Sequence, residues 1–334
     1  MNILVTGGDG YIGSHCVLAL IKKGHDVIVF DSHTTGHSEI SNFISKLDYG
    51  GNLIKSVEGN LLNKEEIDDV LSVNKIDAII HFAAFSQVAE SVKNPGKYYQ
   101  NNVSGTINLL NSMVDHKVNQ IIFSSTAAVY GEPEYVPIDE KHPLRPINPY
   151  GKSKLMIENI MDDYCNAYGI RSVRLRYFNV IGADSDGIVG EWHEPETHLV
   201  PNILKSTFTE GKVFQLFGDD YPTKDGTCVR DYLNVEDLAE AHILALNYLT
   251  DGGLTDCFNL GTNSGYTVKE IFSECEKVVG KKIALNICER RPGDPVSLVA
   301  DNRKARKVLG WEPKHSLHDS IATAYEWEKK RHEI

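Results

Sequence analysis

Two short segments carry side chains suited to hydride and proton transfer. Near the N-terminus, Thr6-Gly7-Gly8-Asp9-Gly10-Tyr11-Ile12-Gly13 satisfies GxGxxG through Gly8, Gly10 and Gly13, and GxxGxxG through Gly7, Gly10 and Gly13. Glycines at these steps permit a tight turn, bring backbone N–H groups close to a pyrophosphate and let a helix pack on a strand. A helix start adds orphan N–H groups and a partial positive charge, which suits a dianion. Asp31 follows 18 residues after Gly13. At that distance a carboxylate accepts hydrogen bonds from both ribose hydroxyls of a dinucleotide. Its charge repels a 2′-phosphate and the next residue is Ser32 rather than Arg. NAD is therefore expected over NADP.

The second segment is Tyr150-Gly151-Lys152-Ser153-Lys154. A spacing of four puts Tyr150 and Lys154 on one helical face. A phenol with a pKa of ~10 is a poor base at neutral pH, and bringing it to ~7 takes about 4 kcal/mol. One positive charge about 4–6 Å away contributes on the order of 3–4 kcal/mol at an effective dielectric of ~20. Lys154 and an oxidised nicotinamide ring, both cationic, are expected to supply that shift together. Tyr150 then becomes a general base for a substrate hydroxyl.

These segments need a scaffold that brings them together. The chain has 334 residues, 41% hydrophobic and 24% charged, within the range of ordinary globular proteins. Its net charge of −12 argues against broad nucleic-acid or anionic-membrane binding, so neither partner is expected. No apolar run reaches the roughly 18 residues of a membrane span. Met1–Gly7 enters a strand at once, without a signal peptide, so a cytoplasmic protein is expected. Six cysteines, scattered without a CxxC pair, read as reduced thiols. Ile3–Thr6, Asp26–Asp31, Asn52–Glu58, Asp77–Phe82, Gln120–Ser124 and Ser172–Phe178 read as strands. Ile12–Lys23, Lys64–Val73, Tyr99–Asp115 and Lys152–Tyr168 carry helical periodicity between them. Continuous apolar strands separated by helices imply a parallel sheet covered on both faces.

The alternation loosens after Gly182. A loop over Ala183–Glu196 precedes helices near Leu199–Glu210, Val235–Leu249 and Val268–Val279, with strands at Val213–Phe217 and Cys257–Leu260. The expected fold is α/β: a Rossmann-type doubly wound parallel sheet with a smaller, interleaved C-terminal α/β substrate lobe. Residues 1–180 are assigned to the nucleotide-binding domain, with residues 230–260 or so returning to it. Residues 181–334 are assigned mainly to the substrate lobe.

Val5–Ser14, His81-Phe82-Ala83-Ala84, Tyr98–Val103, Phe123–Gly131, Pro149–Lys154, Leu175–Asn179, Phe217–Tyr232 and Arg290–Asp301 together resemble the extended short-chain dehydrogenase/reductases. Within them the chain is most similar to the UDP-glucose (UDP-galactose) 4-epimerases, and Trp311-Glu312-Pro313 fits the C-terminal pattern. The resemblance implies a tightly bound NAD that is not consumed, a UDP-sugar substrate and a homodimer formed through Tyr99–Asp115 and Lys152–Tyr168. It implies catalysis by Tyr150, Lys154 and Thr126, the last holding the sugar O4. It implies a cofactor site of Gly7, Gly10, Tyr11, Ile12, Gly13, Asp31 and Ser32. Asn60, Leu61, Phe82, Ala83, Ala84, Asn101, Ser124 and Tyr177 complete it, with Phe178 nearby. It implies substrate contacts from Asn179, His198, Leu199, Phe217, Arg230, Arg291, Asp294 and Leu298. Two arginines suit a diphosphate because their forks bind its oxygens bidentately. Asp294 would hold the uridine ribose and Phe217 would stack near the uracil.

Related sugar-nucleotide enzymes need additional acids. The 4,6-dehydratases carry an Asp-Glu pair directly after the threonine, whereas this chain reads Thr126-Ala127-Ala128. One base and one hydride acceptor suffice to oxidise a carbinol and reduce it again, which is epimerisation at C4. Three positions depart from the resemblance. Asn60 replaces an adenine-binding Asp, Ser86 replaces a Lys near the pyrophosphate, and Leu298 stands where glucose-restricted members carry Tyr. The smaller Leu298 leaves room for N-acetylhexosamines. Alternatives are 4-epimerisation of UDP-GlcNAc, UDP-xylose/arabinose or UDP-glucuronate, or a non-catalytic NAD sensor. No metal site is expected: His33/His37 and His193/His198 lack nearby cysteines or carboxylates at a convincing ligand spacing. No GxSxG elbow supports a hydrolase.

Overall fold

The computed structural model describes the chain except residues 48, 50, 53, 210, 291–294 and 334. Six parallel strands, β1 (Asn2–Thr6), β2 (Asp26–Asp31), β3 (Ile54–Glu58), β4 (Ala78–His81), β5 (Gln120–Thr126) and β6 (Arg171–Tyr177), are joined by a seventh, Asp256–Leu260. Their order is β3-β2-β1-β4-β5-β6-(Asp256–Leu260). Chain direction across the sheet reverses between β1 and β4, and the crevice beyond the carboxyl ends at that point is where such sheets bind ligands.

The period of two along each strand sorts the core into two layers. Ile3, Val5, Val27 and Val29 face helix α1 (Tyr11–Lys22) and the helix Val235–Thr250. Leu4, Ile28, Phe30, Ile79 and Phe123 face the other way. There they meet α3 (Lys64–Val73), α6 (Gly105–Asp115) and α7 (Pro149–Tyr168) through Ile67, Leu109, Met113, Ile157 and Met161. Three short helices intervene in the chain: α2 (Glu39–Ile44), α4 (Val88–Lys93) and α5 (Pro95–Tyr98). Among the described residues no helix is long and apolar enough to cross a membrane.

After β6 the chain builds a second, smaller body. Strand β7 (Asn179–Ile181) pairs with Tyr232–Asn234, and Val229–Arg230 lies between Tyr266–Thr267 and Ser297–Leu298. The helices Leu199–Lys205, Val268–Val279 and Leu317–Glu333 close around Ile203, Phe214, Phe272 and Ile321.

Several boundaries differ from the sequence reading, each for a local reason. Helix α7 starts at Pro149 rather than Lys152, because Asn148 Oδ1 accepts from Gly151 N at 2.8 Å and Pro149 suits the first helical turn. Tyr99–Asp115 is not one uniform helix. Tyr99–Ser104 is wound as a π-turn before α6 begins, and Asn102 there is bound to the Phe85 backbone and Ser153. The helix from Leu199 ends at Lys205, and β4 is trimmed to Ala78–His81.

Candidate active site

A cavity of about 570 Å3 opens at the carboxyl ends of the strands and runs into the smaller body. Its floor is the turn from β1 into α1. Gly7 has φ +70° and a Cβ there would lie 2.6 Å from Ala83 N; a Cβ on Gly13 would lie 2.0 Å from Gly7 O. Any side chain at either position therefore displaces backbone. Gly10 caps α1 without any side-chain acceptor. The first-turn N–H groups consequently face the cavity as an anion cradle.

Asp31 ends β2 and is buried. Oδ2 accepts from Asp9 N at 3.0 Å and Oδ1 from His33 N at 2.9 Å. Burial pushes its carboxyl up while those two amides pull it down. The carboxylate thus fixes the glycine turn while lining the cavity beside Ser32, Asn60 and Leu61. Asn60 Oδ1 accepts from Leu62 N at 2.9 Å, so one acceptor site is engaged locally. Phe82, Ala83, Ala84 and Ser86 form the wall after β4, and Asn101 reaches it from the π-turn.

At the far side, Tyr150 and Lys154 project from α7 with Thr126 and Ser124 at the end of β5. The Lys154 ammonium donates to Ser124 O at 2.7 Å and lies 4.7 Å from the Phe123 ring centroid. Burial lowers this lysine to about 7, and the Glu158 carboxylate opposes that shift. Thr126 Oγ1 accepts from Ala128 N at 3.1 Å, and its hydroxyl lies close enough to the Tyr150 phenol to pull its pKa down. Tyr177 hydroxyl and Ser124 hydroxyl form a short contact behind them.

Burial pushes the Tyr150 phenol up and the neighbouring Thr126 hydroxyl pulls it down; the lowering expected from the sequence takes Lys154 and a nicotinamide ring together. Helical spacing alone places Lys154 on the same face but does not fix where its ammonium points.

Asn179, Arg230 and Leu298 come from the small sheets of the second body, and His198 and Leu199 from the start of its first helix; all line the cavity. Arg230 is buried and its Nη1 donates to Val229 O at 2.7 Å. Asp231, its neighbour, spends its carboxylate on Thr262 and the Ala300 amide.

Full-length similarity accompanies this geometry. Residues 4–324 match the family described as GDP-mannose 4,6 dehydratase. The UDP-glucose 4-epimerase of Lactobacillus helveticus is 52% identical over 330 residues, covering 98% of this chain and 97% of that protein. The chain belongs to the UDP-glucose 4-epimerase family, within the extended short-chain dehydrogenase/reductases. The structure of the Stenotrophomonas maltophila UDP-glucose-4-epimerase with bound NAD and formylated UDP-arabinopyranose matches with a TM-score of 0.95. It is 37% identical, with 99% and 98% of the two chains covered. The Bifidobacterium longum UDP-glucose 4-epimerase in complex with NAD+ and UDP gives 0.93 at 39% identity, covering 99% and 98%.

Phe217 is not among the described residues that line the cavity. The strand Phe214–Phe217 alternates buried and exposed, so Phe214 and Leu216 turn inward and Phe217 stays 37% exposed. Arg291 and Asp294 lie outside the described residues. His193 and His198 are not without carboxylates, since the loop folds Glu191 and Glu196 against them.

Other site residues escaped sequence reasoning. Asn102 ties the wall residue Phe85 to α7 through Ser153. Glu158 is buried, accepts from Ser125 Oγ at 2.5 Å and pairs with Arg176 beneath Lys154. Its signal was present: Tyr150, Lys154 and Glu158 repeat at spacing four on one helix. His81, buried between Thr6 (2.6 Å) and Thr106 (2.9 Å), joins β1, β4 and α6 under the floor.

Proposed function

We propose that this chain binds NAD and interconverts UDP-galactose and UDP-glucose by inverting C4. The observation that carries this reading is the cavity's inventory of ionisable groups. Tyr150, Thr126 and Lys154 cluster at one end, and among the described lining residues Asp31, by the glycine turn, is the only carboxylate. Elimination of water, as in a 4,6-dehydratase, needs an acid beside the reacting carbons, and Ala127 and Ala128 follow Thr126 instead. A base without a neighbouring acid supports oxidation and re-reduction at one carbon.

The glycine cradle and Asp31 fit the pyrophosphate and a ribose of NAD, with Ser32, Asn60, Leu61, Phe82, Ala83, Ala84, Asn101, Ser124 and Tyr177 around it. When bound, NAD accepts the C4 hydride and gives it back. Tyr150 takes the proton of the C4 hydroxyl and returns it after inversion. Thr126 holds O4 in line with the phenol, and Lys154 and Ser124 keep the phenol's surroundings polar. Arg230, Asn179, His198 and Leu199, with Arg291 and Asp294, anchor the UDP portion while the 4-keto sugar turns. Binding energy spent on the nucleotide leaves the sugar free to present either face.

The two-part division, residues 1–180 with 230–260 for NAD and 181–334 mainly for the UDP-sugar, belongs to this reading. So does a cytoplasmic homodimer. Six cysteines scattered without a CxxC pair support the compartment. The exposed Met156 and Tyr168 on α7 support a partner helix.

The test is to incubate purified protein with UDP-galactose deuterated at C4, without added cofactor. UDP-glucose that keeps its deuterium is the expected product. Washout of deuterium into solvent excludes the hydride route. Bound NAD with every UDP-sugar unchanged establishes a sensor instead.

A further inference from the structure

The loop between β7 and the helix Leu199–Lys205 carries a side-chain cluster of which only His198 enters the UDP contacts proposed above. Glu191, His193, Glu196 and His198 each present one donor atom, and these atoms lie within 4.8 Å of one another. Glu191 Oε1 is 3.1 Å from His193 Nδ1 and also contacts His198 Nδ1. Glu196 reaches the same two rings from the other side, with Oε2 4.0 Å from His193 Nδ1 and Oε1 3.8 Å from His198 Nδ1. Tetrahedral zinc with bonds of ~2.0–2.1 Å sets neighbouring ligand atoms about 3.3 Å apart.

A second observation points to a cation. The Glu196 side chain is only 5% exposed. Its Oε1 accepts from the Thr197 and His198 amides at 2.8 and 2.9 Å, whereas Oε2 is buried without any hydrogen-bond partner. A buried carboxylate oxygen is costly to leave unsatisfied. Lys205 Nζ forms an ion pair with it at 3.5 Å, longer than a good hydrogen bond. The loop is held independently of any ion. Trp327 Nε1 donates to Glu191 O at 2.9 Å, and the Arg331 guanidinium lies 4.9 Å from the Trp192 ring centroid.

We propose that Glu191, His193, Glu196 and His198 bind one divalent transition-metal ion of the zinc type. Two imidazoles with two carboxylates suit zinc or cobalt better than the all-oxygen shells of calcium or magnesium. Four protein ligands leave no open coordination position, so the ion is structural. Its place explains what it would hold. His193 and His198 line the cavity, and the His193 ring stands edge-on to Tyr11 of the phosphate turn with centroids 6.2 Å apart. The ion would tie the second body's wall to the nucleotide floor.

The test uses untagged protein, as purified, dialysed against chelator and titrated with Co2+. One equivalent with the visible bands of tetrahedral cobalt, bleached by Zn2+, is expected. Glu196→Gln, which preserves volume, and His193→Ala should each weaken Co2+ binding about 10-fold or more. Circular dichroism and NAD content establish that each variant is folded. Wild-type protein that shows no tetrahedral cobalt bands overturns the proposal. So do bands that persist at full strength and affinity in folded Glu196→Gln. Should His193→Ala fail to fold, the wild-type spectrum and Glu196→Gln decide the matter alone.

Discussion

Tyr150 sits where its own surroundings disfavour ionisation, since burial raises its phenol and the Thr126 hydroxyl compensates only in part. A group in that position acts as a base only when positive charge is brought up to it, and Lys154, itself lowered to about 7 by burial, supplies that charge only in its protonated form. Removing the hydroxyl alone isolates the proton-transfer role. Tyr150→Phe should lower kcat by about 100- to 10,000-fold while the bound NAD, measured after extraction, stays at its wild-type level. Wild-type turnover by the Phe variant defeats the assignment. Size selection is a separate residue-level matter. Leu298 is half-buried in the cavity wall, in register with Arg230 on the neighbouring strand. A ring in its place occupies space beside the sugar, so Leu298→Tyr should reduce the ratio of UDP-GlcNAc to UDP-glucose activity. A small volume change in such a wall is worth about 10-fold or more. An unchanged ratio in a two-substrate assay rules Leu298 out as the selector.

The turn from β1 into α1 is the element on which the cavity floor depends. Gly13 packs so close that a methyl group would meet Gly7 O at 2.0 Å, and the obstacle is backbone rather than a movable side chain. Gly13→Ala should therefore displace the turn, lose NAD and lower the melting temperature. Retained NAD at unchanged stability would show that the helix can slide away. This turn, the Asp31 strand end and the Tyr150 helix were legible in the sequence because each is a local pattern, complete within a strand, a turn and a helix. What was not legible depends on pairing across long separations. Tyr130 hydroxyl donates to Asn259 Oδ1 at 2.6 Å across 129 residues, and nothing in either segment announces the other. Which way Phe217 points was not legible either, because strand parity decides it and one residue of register reverses it. Glu191 and Glu196 were not matched to His193 and His198 because folding of the 183–198 segment on the last helix, through Trp327, is a tertiary event.

At the scale of the whole molecule, the packing around the central sheet includes histidines kept neutral by burial. His15 in α1, His81 at the end of β4 and His242 in the helix Val235–Thr250 are 3%, 1% and 0% exposed. Burial lowers them to about 4, 3 and 4 respectively. An unfolded chain titrates its histidines near ~6.5. Between that pH and about 4 the unfolded state takes up protons that the native state refuses, so stability falls as pH falls. Each such group contributes a limiting slope of about 1.4 kcal/mol per pH unit. Asp31 and Asp231, raised by burial, act in the opposite direction, but only as carboxyls begin to protonate. Urea unfolding at pH 7, 6 and 5, with NAD saturation held constant, should therefore show declining stability across a window where ordinary carboxylates are still ionised. His81→Gln keeps a polar group between Thr6 and Thr106 and removes one titrating site, so its slope should be shallower by one proton. A wild-type protein as stable at pH 5 as at pH 7 would mean that these rings are already charged in the native state, and that their surroundings are wetter than the packing indicates.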